Sequence, residues 1–324
     1  MMKFPRRQFL HLVAGAVAIG VLFAQASWSQ TPRAIKIVVP FAPGGAADFM
    51  ARVLAEQVGR VHGRTAVVEN RPGAGTVVGA EAVARAAPDG STLLFNSKKP
   101  IINPHLRKVS YDALASFEPI CRLVSSPTVI SVNNESPYRT LAELLDAARA
   151  RPGELTLASS GPASPFQIGF EMLKRAAHVE MTFIPYPGAA PAVNALLGQH
   201  VTSMLTTYST VMEQLKVGKI RPLATTSLTR IEAIPNVPTG AELGYKDFEV
   251  DIWSGLVAPA KTPKETVSRL ADFFTAAMQA PEVSAKLEVQ GLYPATLCGA
   301  DFDALIRKQY DEYGRVIREA NITE

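Results

Sequence analysis

The chain has 324 residues, 47% of them hydrophobic and 19% charged, with a formal net charge of +4 and two cysteines. That is enough apolar material for one large domain or two of ordinary size. Cys121 and Cys298 are too few to staple a disulfide-rich scaffold; they could pair in an oxidising compartment, but are expected here as two buried free thiols.

Residues 1–30 read as an export signal. Lys3, Arg6 and Arg7 precede an apolar run from Phe9 to Ala24, which is too short and too rich in Gly and Ala to span a bilayer comfortably. Ala24-Gln25-Ala26 behind it is a small-x-small cleavage pattern, and Pro5-Arg6-Arg7-Gln8-Phe9-Leu10 resembles a twin-arginine signal. Removing these residues leaves 30 Lys and Arg against 29 Asp and Glu, a net charge of +1. The basic balance is therefore partly the signal's, and no nucleic-acid partner is expected.

Strand and helix signals alternate from there on. Ile35–Val39 is a short apolar strand followed by a helical pattern over Ala46–Gly59. Thr65–Glu69 is a second strand, Thr76–Ala87 a small-residue helix and Ser91–Phe95 a third strand. Ile120–Val132 is one long β-prone stretch, and Thr140–Arg149 a helix with a Thr N-cap and Glu143 in its first turn. Strands follow at Leu155–Ser159, Met181–Ile184, Val201–Thr206, Ile220–Thr225 and Trp253–Pro259. Helices are expected at Phe166–Ala177 and Ala190–Leu197, and near the end at Thr262–Ala280, Glu282–Gln290 and Asp301–Ala320. Such alternation implies α/β architecture, with mostly parallel sheets covered by helices on both faces. Without a flexible linker, two lobes joined by paired crossover strands are expected: a discontinuous first lobe, 31–128 and 254–324, and a second lobe, 129–253. The C-terminal helices would return to the first.

Three strand-to-helix turns carry the functional signal. Val39-Pro40-Phe41-Ala42-Pro43-Gly44-Gly45-Ala46-Ala47-Asp48 sets two glycines before a helix start, so a ligand oxygen can approach backbone N–H groups where the helix dipole is positive. Asp48 would stabilise that helix end or accept an amino group from a ligand. Ser159-Ser160-Gly161 with Ser164, and Tyr186 with Gly188 and Ala189, repeat the construction. Ligands of open α/β sheets sit at the carboxyl ends of strands, which adds Asn96, Ser97 and Thr206. The expected ligand-binding set is therefore Phe41, Gly44, Gly45, Asp48, Asn96, Ser97, Ser159, Ser160, Gly161, Ser164, Tyr186, Gly188, Ala189 and Thr206.

Enzyme signals are sparse. His62, His105, His178 and His200 lie in unrelated settings without metal-ligand spacing, and there is no nucleophile elbow or P-loop. Gly73-Ala74-Gly75 with Gly79 misses the dinucleotide fingerprint and reads as a surface turn before a close-packed helix. No cofactor is expected.

Pro40-Phe41-Ala42-Pro43-Gly44-Gly45-x-x-Asp48, Asn70-Arg71-Pro72-Gly73-Ala74-Gly75, Ala87-Pro88-Asp89-Gly90 and Ile102-Asn103-Pro104 resemble the Bug (Bordetella uptake gene) proteins. So do Ser159-Ser160-Gly161, Pro185-Tyr186-x-Gly188, Pro238-Thr239-x-Ala241-Glu242-x-Gly244 and Trp253-x-Gly255. These are the periplasmic receptors of tripartite tricarboxylate transporters, and the resemblance spans residues 31–324. It implies a two-lobe Venus-flytrap fold, a small carboxylate held in the cleft, delivery to a membrane permease, and a monomeric, non-enzymatic periplasmic protein. In that family the first loop holds ligand through backbone groups and ordered water, which maps onto Phe41, Gly44, Gly45 and Asp48. Pro162, Ala163, Gln167, Pro187, Lys98-Lys99-Pro100 and Thr206-Thr207 depart from the family's pattern, all on the cleft wall. A receptor feeding a membrane sensor kinase, or an exported two-domain enzyme, are the alternative readings.

Overall fold

The computed structural model describes residues 34–246 and 248–323; the expected signal segment lies outside them. The first sheet contains β1 (Ile35–Val39), β2 (Ala66–Asn70), β3 (Thr92–Asn96), β4 (Phe117–Ser126), β10 (Ile252–Pro259) and β11 (Tyr293–Cys298), in the order β11-β4-β10-β3-β1-β2. β1 is parallel to both β2 and β3, while β10 is antiparallel to β3 and β4, and β11 antiparallel to β4. The second sheet contains β5 (Thr128–Asn133), β6 (Thr156–Ser160), β7 (Thr182–Tyr186), β8 (Ser203–Thr207) and β9 (Ile220–Thr225), in the order β7-β6-β8-β5-β9. Here only β5 runs against the others. The apolar run of β1 is buried at every position but Lys36, as an interior parallel strand between helical layers requires.

Helices α1 (Ala46–His62), α2 (Val77–Ala84), α3 (Lys98–Leu106), α8 (Lys264–Met278), α9 (Pro281–Glu288) and α10 (Gly299–Glu319) accompany the first sheet; α4 (Leu141–Ala150), α5 (Pro165–Ala177), α6 (Ala189–Leu197) and α7 (Tyr208–Lys216) accompany the second. Thr140 caps α4 as its sequence implies, accepting a bond from the Glu143 N–H, while the Glu143 carboxylate accepts one from Arg139 N–H. Gly79 has no Cβ to meet Pro40, which a side chain there would approach at 2.8 Å. That close packing seats α2 beneath the first loop.

The β-prone stretch expected as a single strand is two strands. Pro127 stands between them with no N–H for a ladder, so β4 ends in the first sheet and β5 starts in the second. The return is β10, whose first residue, Ile252, is paired with Ser126. Beside this crossing the Thr128 and Thr226 hydroxyls lie against each other, each within 2.8 Å of Val250 O, so one can donate to the carbonyl and the other to its neighbour. They tie the outgoing and returning chains together in a buried knot.

α8 and α9 bury Leu270, Phe274, Val283 and Leu287 in one cluster with Ile37, Leu93, Leu123 and Leu256 of the first sheet. α10 does more. Its Phe302 and Ile306 pack with Val38, Leu94 and Trp253, whereas Tyr313, Val316 and Ile317 pack with Leu157, Phe170 and Leu173 of the second lobe. A helix of 21 residues is about 30 Å long, long enough to strap one lobe to the other, and an Arg175–Glu319 ion pair fastens its far end.

The free-thiol expectation is corrected. Cys298, at the end of β11, is in register with Cys121 on β4, and the two form a disulfide 177 residues apart in sequence. Spacing alone could not show this, because the pairing depends on β11 folding back as an edge strand, an element absent from the expected set.

Candidate functional site

β4 runs directly into the second lobe, and β1 and β3 are parallel to it, so their carboxyl ends all face that lobe. In the second sheet Thr128, the first residue of β5, is paired with Thr207, the last of β8. β6 and β7 are parallel to β8, so their carboxyl ends point back. The turns picked out by the sequence thus lie at strand ends that point towards each other from the two sheets, the end at which ligands of open α/β sheets bind.

The first of them is built for rigidity. Gly44 has φ +87°, a conformation that favours glycine, and Gly45 is the N-cap of α1. Asp48 lies one turn on, 4% exposed. Its carboxylate accepts bonds from Gly44 N–H, Arg52 Nε and Asn70 Nδ2, each at 3.0 Å. Asn70 also donates to Phe41 O at 3.2 Å, so β2 braces both ends of the loop. Asp48 therefore shapes the turn, and the reading in which it accepts a ligand's amino group is revised. The first-turn N–H groups of α1 remain without intrahelical acceptors.

The Arg52 guanidinium, with the Gly44 and Asn70 donors, holds the Asp48 carboxyl down at about 2 against an ordinary 3.8. A carboxyl depressed on folding contributes stability above its unfolded value and loses it as pH falls through the folded one. Asp48→Asn is thus expected to cost on the order of 1–2 kcal/mol above pH 4, with the difference from the unaltered protein vanishing as pH approaches 2. Thermal unfolding at pH 6, 4 and 2 checks it; an equal deficit at all three would assign the loss to geometry and not to charge.

At the end of β3, Asn96 is buried and its Oδ1 accepts from Ser97 N–H at 3.0 Å. Ser97 is the N-cap of α3, and its hydroxyl oxygen is enclosed with no hydrogen-bond partner among the described residues. α3 was not expected, because Pro100 and Pro104 discourage a helix. Pro100 falls in the first turn, where a missing N–H costs nothing. Pro104 leaves the Pro100 carbonyl without its helical donor, and the Tyr111 hydroxyl supplies one at 2.9 Å.

Two lysines open α3. Lys98 is 1% exposed and donates to the Tyr313 hydroxyl at 2.6 Å. Burial, partly offset by Asp251, Glu249 and Glu312, pushes its ammonium down to about 8. Lys98 joins α3 to the α10 strap. Lys99 is half-buried and turns the other way: its Nζ donates to Ala163 O, in the β6–α5 turn of the second lobe, at 3.2 Å.

In the second lobe, Gly161 has φ +73° and its N–H donates to Tyr186 O at 2.8 Å, which joins the β6 and β7 turns. Ser164 caps α5 by accepting from Gln167 N–H, and Gln167 Oε1 accepts a bond from Ala163 N–H at 2.8 Å. Ser160 is half-buried at the strand end; Gly188 is the N-cap of α6 and Ala189 its first residue. Ser159 and Thr206 do not share this exposure. Ser159 is 0% exposed with its hydroxyl donated to Leu205 O at 2.7 Å, and Thr206 is 2% exposed. Their expected contact with ligand is revised to support of the strands beneath. One construction went unseen in the sequence: Thr207 is the N-cap of α7, its hydroxyl within 3.0 Å of Ser209 and 2.8 Å of Thr210. Helices α1, α3, α5 and α6 thus start at the carboxyl ends of strands expected to line the site, whereas the start of α7 packs against Gly291, and its Tyr208 N–H donates to Pro127 O at 2.8 Å. A cavity of about 360 Å³ beside the crossing strands, lined by Arg122, Arg230, Asp251 and Tyr293 among others, contains none of the expected site residues.

Comparison with known proteins identifies the family and the fold. Residues 50–322 match the family described as tripartite tricarboxylate transporter family receptor. The structure of the periplasmic binding protein BugD is 34% identical, with a TM-score of 0.71 over 90% of this chain and 98% of that one. A Rhodopseudomonas palustris protein solved with adipate is 29% identical, with a TM-score of 0.74 over 92% and 99%. MatC from the same organism, solved with bound malate, is 27% identical, with a TM-score of 0.69 over 89% and 99%. These relatives are solute-binding receptors and not enzymes, and the fold they share is the two-lobe periplasmic-binding-protein fold. The chain belongs to the tripartite tricarboxylate transporter receptor family.

Proposed function

We propose that this protein captures a small di- or tricarboxylate, or a related organic acid, in the periplasm and delivers it to the membrane permease of a tripartite tricarboxylate transporter. One observation supports the reading: four helix N-termini, with the positive-φ glycines Gly44 and Gly161 in the turns before two of them, follow the carboxyl ends of strands in the two sheets, and Lys99 on one of these helices bonds Ala163 O in the turn before another. Backbone N–H groups at helix starts bind carboxylate oxygens without a dedicated arginine. Phe41, Gly44, Gly45, Asn96, Ser97, Ser160, Gly161, Ser164, Tyr186, Gly188 and Ala189 form the proposed contact set, shared between lobes 31–128 with 254–324 and 129–253. Adipate and malate in two relatives support a carboxylate of this size. The arginine pair Arg6-Arg7 and Ala24-Gln25-Ala26 support export with removal of residues 1–30.

Thermal-shift screening of the mature protein against mono-, di-, tri- and aromatic carboxylates tests this. A cognate acid at 100 times its Kd is expected to stabilise by ~2.7 kcal/mol. A screen in which only neutral sugars or cations stabilise the protein would reject the carboxylate reading.

A further inference from the structure

Of the residues on the turns that meet at the site, Asp48, Lys98 and Lys99 carry charge. Asp48 is consumed by Gly44, Arg52 and Asn70, and Lys98 is sealed under Tyr313. Lys99 is different. It starts from the first turn of α3, beside the enclosed and unpartnered Ser97 hydroxyl, and its ammonium reaches the Ala163 carbonyl on the opposite lobe. An ammonium has three donors, and this carbonyl occupies one of them.

We propose that Lys99 is the residue that sets charge specificity, by holding a second carboxylate of the ligand against the α3 start while the first is held by the Gly44-Gly45 turn. This rests on the carboxylate reading above and sharpens it. A point cation bridging two lobes draws a diacid to both of them, whereas a monoacid held at the first loop leaves Lys99 with its carbonyl alone. Partial burial strengthens the attraction, since the pair is screened less than on an open surface. Ser97, one residue away, supplies a hydroxyl donor to the same oxygens.

The test is calorimetric titration of the full mature protein with straight-chain diacids of four to eight carbons and the monoacids of equal length. The unaltered protein is expected to prefer a diacid over its monoacid by about 10–100-fold, the range of one charge-assisted bond. Lys99→Gln is expected to reduce that ratio to about 1–3 by weakening the diacid alone, and Lys99→Arg to retain most of it. Equal affinity for diacid and monoacid in the unaltered protein overturns the role of Lys99 and leaves the carboxylate reading intact. So does an equal loss for both classes in Lys99→Gln, the result expected of a plain lobe-to-lobe latch. Binding of no acid in either series overturns the proposal, and the reading beneath it falls with it when the wider carboxylate screen also yields no ligand.

Discussion

Replacing both Cys121 and Cys298 by alanine is expected to lower the unfolding free energy by about 3–5 kcal/mol. The bond closes a loop across a sequence separation of 177 residues, and the entropy removed from the unfolded chain grows with the logarithm of that length. The location adds to this. β11 is the last strand of the first sheet, with one neighbour only, and its pairing with β4 is interrupted between Pro294 and Leu297. An edge strand held by an irregular ladder gains more from a covalent tie than a central one would. Cys121 is fully buried, so alanine avoids leaving a new polar group in the core. Denaturant titration of the oxidised protein, the reduced protein and the double variant should show the last two falling to a common lower midpoint. Affinity for the cognate acid should change little, because β11 contributes none of the proposed contacts. Coincident curves for oxidised and reduced protein would mean that the bond secures nothing in the native state.

Much of the architecture was legible because buried parallel strands are short apolar runs and turns are marked by Gly and Pro. Ile220–Thr225 was bounded correctly to the residue, and Ile35–Val39 likewise. What escaped notice depended on tertiary partners. α3 holds two prolines whose penalty is absorbed by its first-turn position and by Tyr111, far enough along the chain to be invisible to a local pattern. β11 is a half-exposed strand with no apolar alternation to announce it, and without it the cysteines had no reason to meet. At the site, three hydroxyls on one turn looked equivalent, yet the strand pleat sends successive side chains to opposite faces. Ser159 points into the core while Ser160 does not. The glycine turns were easier to read, since their chemistry lies in the backbone and the sequence states it directly.

Gly45→Val is expected to weaken binding of the cognate carboxylate more than a hundredfold while the protein stays folded. The second half of that expectation comes from the backbone. Gly45 has φ −84° and ψ 172°, an extended conformation open to any residue, and a Cβ there would meet only Ala42 O, at 3.9 Å. Valine therefore introduces no strain, and loss of a glycine N-cap costs on the order of a few tenths of a kcal/mol to about 1. Gly44 would be a poor choice for the same test, because its φ of +87° makes any side chain destabilising in its own right. The first half follows from where the new side chain stands, on the exposed lip of the turn, against the N–H groups a carboxylate must reach. Excluding the oxygen forfeits two charge-assisted bonds of about 1.5–3 kcal/mol each, and each 1.4 kcal/mol is about tenfold in affinity. Circular dichroism and the unfolding midpoint report the fold, and titration calorimetry the affinity. A folded Gly45→Val protein that binds within tenfold of the unaltered one would place the carboxylate elsewhere than on the α1 start.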